Sequence, residues 1–141
     1  MANPRVIIVD NNRFFREDFK SILENEFSSI VIATLDNDKD LFNLNNVVSA
    51  DLIFINLAIA RVTGFQTIKQ FIWKIPTMKV VGINSFFSEQ IYLRQLIEIG
   101  FKGCIDGNNI YSELNEVFDK VTNGRLFFSN TISMTTNSKK P

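Results

Sequence analysis

No histidine occurs in the 141 residues, and cysteine occurs once, at Cys104. The first absence removes the commonest metal ligand and the side chain most used as a general base near neutral pH. The second excludes an internal disulfide and fits a reducing compartment. A charge excess of either sign is also missing, since 15 Lys and Arg balance 15 Asp and Glu. The composition therefore carries neither a nucleic-acid footprint nor a polybasic membrane patch. No apolar run approaches the ~18 residues of a membrane span. The opening residues MANPRVIIVDNN place a strand where a signal peptide needs a basic region and a longer apolar one. A single-domain, soluble, cytoplasmic protein is expected. Hydrophobic residues, at 45% of the chain, suffice for a sizeable core. The 14 phenylalanines read as a compositional habit, so no single one counts as a signal.

What is present is organised around residues 50–64, ADLIFINLAIARVTG. LIFI is too short for a helix and rich in strand formers, as expected of a strand buried on both faces. It ends at Asn56, after which a small-residue loop to Gly64 and then a helix over 64–74 are expected. Upstream, RVIIV predicts a first strand ending at the turn cluster Asp10-Asn11-Asn12. Phe15, Phe19, Ile22 and Leu23 lie at helical spacing over 12–27. A second strand over 29–35 and a short helix around Leu41, Phe42 and Leu44 follow, with Asp36, Asn37 and Asp38 offering caps. Downstream, strands are expected over 78–83 and 102–105, and helices over 88–99 and 110–123. Residues 129–141 are polar with little periodicity and read as a linker or tail after a domain spanning 1–128.

Strands alternating with helices imply repeated βαβ units and a parallel sheet. The best fit is an α/β, flavodoxin-like, doubly wound (βα)5 fold with five strands in the order 2-1-3-4-5. Such folds place ligands and chemistry at the carboxyl ends of the strands. Here those ends supply Asp10, Asn11, Asn56, Asn84, Ser85, Asp106 and Gly107.

That set, with VIIVDNN, ADLIFINLAIARVTGF, KVVGINS and GFKGCIDG in order and at matching separations, resembles the receiver domain of bacterial two-component response regulators. The run ELNEVFDKVTNGRLFFS is similar to regulators carrying a helix-turn-helix output domain. The resemblance implies that Asp10 and Asn11 stand where the family has adjacent acids, and Asn56 where it has the phosphoacceptor aspartate. It likewise puts Asn84 and Cys104 at the switch positions, and Gly107 where a lysine pairs with phosphoryl oxygens. An amide offers no nucleophile comparable to a carboxylate. One acid with neutral oxygens is too little for tight Mg²⁺ binding. The expectation is a degenerate receiver: not an enzyme, without a cofactor, and with weak or no Mg²⁺ binding.

Other roles at the same positions stay open. Asp10 either caps its turn or is a vestigial metal ligand, and Asn56 is expected to hold its loop by hydrogen bonding. Ser85 lacks a histidine to activate it, and Cys104 reads as a small buried hydrophobe. Lys79 and Lys102 either reach the pocket or are solvated. Phe14, Phe86 and Phe87 either pack in the core or form a lid or partner surface. Partner binding or homodimerisation is expected through the fourth helix, fifth strand and fifth helix, with Glu89, Tyr92, Gln95, Leu96, Lys102, Tyr111 and Glu113 as candidates. Phe86, Phe87 and Leu96 would join a dimer contact. Direct nucleic-acid or membrane binding by this domain is not expected. Two alternatives are phosphorylation at an unconventional residue and a small-ligand site. DNNRFF lacks the glycines that the latter wants after the first strand.

Overall fold

A computed structural model describes residues 3–85 and 93–132. The four expected apolar runs form β1 (Arg5–Val9), β3 (Leu52–Asn56), β4 (Val80–Asn84) and β5 (Gly103–Asp106), all closely packed. Strand β2 (Ile30–Leu35) lies at one edge and is only partly buried. Every pairing is parallel, which leaves both faces of the sheet to be covered by helices.

Helix α1 (Arg13–Glu26) starts where the Asn12 side chain accepts the Phe15 N–H at 3.2 Å. It shares one face of the sheet with α5 (Ile110–Val121). Helices α2 (Leu57–Arg61), α3 (Gln66–Lys74) and α4 (Leu93–Ile99) cover the other. Alternate strand residues feed the two cores: Val6, Ile8, Leu52 and Phe54 face α1 and α5, whereas Ile7, Val9, Ile53 and Ile55 face the opposite layer. Phe54 sits edge-on to Phe19 at 5.2 Å and to Phe118 at 6.1 Å, tying both helices of its layer to the central strand.

The sheet departs from expectation by having six strands, in the order 2-1-3-4-5-6. Strand β6 (Phe127–Phe128) lies beside β5, with the Phe127 N–H donating to the Lys102 carbonyl at 3.2 Å and the Ser129 N–H to Cys104 at 2.8 Å. Gly103 admits this neighbour, because a Cβ there would stand 2.6 Å from the Phe127 carbonyl oxygen. A two-residue strand has no periodicity to read in a sequence. The packed body also runs on past Phe128: Ser129 and Ile132 are both buried.

Two further differences are local. The expected second helix is a pair of 3₁₀ turns, Lys39–Asn43 and Val47–Ser49, the first held by Asn37, whose side-chain oxygen accepts the Asp40 N–H at 3.0 Å. Asp38 makes no cap bond; its carboxyl is buried, and desolvation raises its pKa. The expected loop after Asn56 is instead the short helix α2. No helix among the described residues is long and apolar enough to cross a membrane.

Candidate functional site

The carboxyl ends of β1, β3, β4 and β5 meet at one rim of the sheet. Asp10 follows β1 directly and is almost fully buried. Its N–H donates to the Leu35 carbonyl at 3.0 Å, and its own carbonyl accepts from the Arg16 guanidinium at 2.7 Å. One carboxylate oxygen accepts the Asn12 N–H at 2.8 Å; the other accepts from the Asn56 side-chain amide at 3.1 Å. The orientation of Asn56 follows from its second bond. Its Oδ1 accepts the Ala58 N–H at 2.9 Å and caps α2, so Nδ2 is left to face Asp10. Asn56 thus bridges one acceptor, the Asp10 carboxylate, and one donor, the Ala58 N–H, and both oxygens of the buried acid are engaged inside the protein.

Asn11 is exposed beside this pair. Asn84 ends β4 opposite Asp106, and its carbonyl accepts the Gly107 N–H at 2.7 Å. Asp106 turns inward on its own loop, accepting the Asn108 N–H at 2.9 Å and the Asn109 amide at 3.4 Å. Among the described residues, no group of three or more His, Cys, Asp or Glu side chains converges. Hard divalent cations take several oxygens, usually anionic ones. At the end of β1, Asp10 has each carboxylate oxygen engaged in one internal hydrogen bond.

Cys104 is fully buried, and burial, with Glu113 and Asp106 adding to it, pushes its thiol pKa up. Both effects make it a poor nucleophile. Lys79 is turned away from the rim, donating to the Thr122 carbonyl at 3.3 Å. Phe14 is 79% exposed, whereas Phe15 packs on Phe19 with ring centroids 5.2 Å apart. A shallow cleft of about 370 Å³ lies between Phe15 and residues 107–112, the turn before α5 and the start of that helix.

The candidate contact residues separate. Tyr111 is exposed, and Gln95 and Lys102 are half-buried. Leu96, expected on that surface, is instead fully buried in the core. Glu113 holds the ends of two strands, accepting the Asp106 N–H at 3.0 Å and the Ser129 hydroxyl at 2.7 Å. Sequence inspection missed this clamp, since nothing local marks a glutamate that reaches a serine sixteen positions on. Phe86, Phe87, Glu89 and Tyr92, like the expected helix start at Ser88, lie outside the described residues.

Residues 6–118 match the family model described as "Response regulator receiver domain". The transcriptional regulatory protein DegU of Brevibacillus brevis is 24% identical over 101 residues, covering 72% of this chain and 42% of that protein. Two Bacillus subtilis regulators are each matched over 56% of their length, so the chain spans about half the length of the curated relatives it matches. Among solved structures, the isolated receiver domain of RcsB from Salmonella enterica superposes with a TM-score of 0.75 at 16% identity, covering 93% of this chain and 96% of that one. A structure of RcsB dimers bound to DNA gives the same TM-score of 0.75 at 16% identity, over 93% of this chain and 66% of that one.

Proposed function

This chain belongs to the response regulator receiver domain family, and from that premise we propose that it is a receiver that signals by protein contact without being phosphorylated on aspartate. One observation carries the reading. The residue at the end of β3 is an amide whose two polar atoms are already committed, to Asp10 and to the N-terminus of α2. The attacking carboxylate oxygen is absent, and the neighbouring acid has no oxygen free of an internal hydrogen bond. At Gly107 there is no cationic side chain to pair with a phosphoryl group. These features together support weak or absent Mg²⁺ binding and no enzymatic role.

The contact surface on this reading is the one built from α4, β5 and α5, with Tyr111, Lys102 and Gln95 its described members. The proposed occupant is a protein partner or a second copy of the chain, as RcsB is found in dimers. Coverage of only part of the regulatory relatives supports a longer parent protein with a DNA-binding domain, acting in the cytoplasm on transcription.

The test is incubation with acetyl phosphate and Mg²⁺ followed by intact-mass measurement. An unchanged mass is expected. A stable gain of one phosphoryl group would overturn the reading and point to an unconventional acceptor.

A further inference from the structure

Gly107, at the end of β5, is more than a position without a side chain. Gly107 is packed so closely that a Cβ built on it would stand 2.9 Å from both Cα and Cβ of Ser85, and 3.0 Å from the carbonyl oxygen of Asn84. Two of those three atoms belong to the backbone, so the collision is not relieved by rotating a side chain. The contact is also bonded, since the Gly107 N–H donates to that same Asn84 carbonyl at 2.7 Å. Beside it, Asn84 and Asp106 stand opposite each other in the β4–β5 ladder. The Asp106 N–H is held by Glu113 of α5.

We propose that Gly107 is a latch: having no side chain, it lets Ser85 close over the end of β5 and fixes the β4–β5 end of the rim in one arrangement. The space through which a residue at 107 would project is filled by the protein's own backbone. Any side chain there enters only by displacing Asn84 and Ser85. The rim is therefore held by packing and one short hydrogen bond, independently of what occupies position 56. The inference goes beyond the phosphorylation reading: a latched rim is compatible with a phosphorylated or an unphosphorylated chain.

The experiment is a double-mutant cycle on the full chain with Gly107→Ala and Ser85→Gly, read by thermal melting and amide hydrogen exchange. Gly107→Ala is expected to lower Tm by about 5 °C and to speed exchange at Asn84, Ser85 and residue 107. The loss should shrink in the Ser85→Gly background, where one of the colliding atoms is gone and the backbone is freer to move. Additive losses, or an unchanged Tm for Gly107→Ala, would overturn the proposal. Should Gly107→Ala fail to fold, the wild-type chain decides: the Gly107 amide is expected to exchange as slowly as the central strand amides, and rapid exchange there refutes the latch. None of these readouts involves phosphoryl transfer.

Discussion

At the scale of single residues, the difference between an amide and an acid at position 56 sets the character of the rim. Asn56 donates to the buried Asp10 side chain, satisfying an acceptor that burial would otherwise leave unpaired. Asn56→Asp exchanges that donor for a second anion about 3.1 Å away. The substitution is expected to cost about 1–3 kcal/mol near neutral pH, from the lost bond and the like-charge contact. A urea titration at neutral pH checks this; a variant as stable as wild type would contradict it. The same variant is expected to stay unphosphorylated by acetyl phosphate, since Asn11 and Gly107 are unchanged, and intact mass reads that outcome. The identities at 10, 11, 56, 84 and 107 were legible in the sequence. That Asp10 and Asn56 bond each other across 46 positions was not.

At the scale of elements, hydrophobic periodicity identified the helices because burial demands it: Phe19 and Leu23 of α1, and Leu114, Val117 and Val121 of α5, all face the sheet. Element ends followed local chemistry less faithfully. After α1 the chain reverses through Ser28, which holds a left-handed φ of 55° while the Ser29 N–H returns to the Leu23 carbonyl at 3.0 Å. Glycine is the usual residue at that position because it has no Cβ to crowd the backbone. Ser28→Gly is expected to stabilise the protein by about 0.5–1 kcal/mol, measured by chemical denaturation. A loss of stability would mean that the Ser28 side chain matters more than its strained backbone. Helix α2 escaped notice for a related reason. Five residues are too few for a periodic signal, and its N-terminus depends on the Asn56 cap, whose geometry only the end of β3 supplies.

At the scale of the whole molecule, the sheet closes with β6 and a short segment behind it. Ser129 bonds Glu113, and Ile132 enters the core on the α2–α4 side, so the body does not end at Phe128. Ending the chain at Phe128 rather than at Ser133 is expected to cost about 3 kcal/mol, from one buried isoleucine and one hydrogen bond to a carboxylate. Urea midpoints of the two truncations test this, and equal midpoints would place the boundary back at Phe128. By itself, the sequence determined the alternation of buried strands and amphipathic helices, and therefore the parallel α/β fold with its rim of strand ends. It determined too that Asn11, Asn56, Asn84 and Gly107 would stand at that rim. Each of these is a property of short windows, which spacing and side-chain type express directly. Only the tertiary structure decided that Asn56 would satisfy Asp10, that Ser85 would fill the space over Gly107, and that a sixth strand would complete the sheet. Those are contacts between distant segments, and their energies depend on distances of a few tenths of an ångström that no local pattern records.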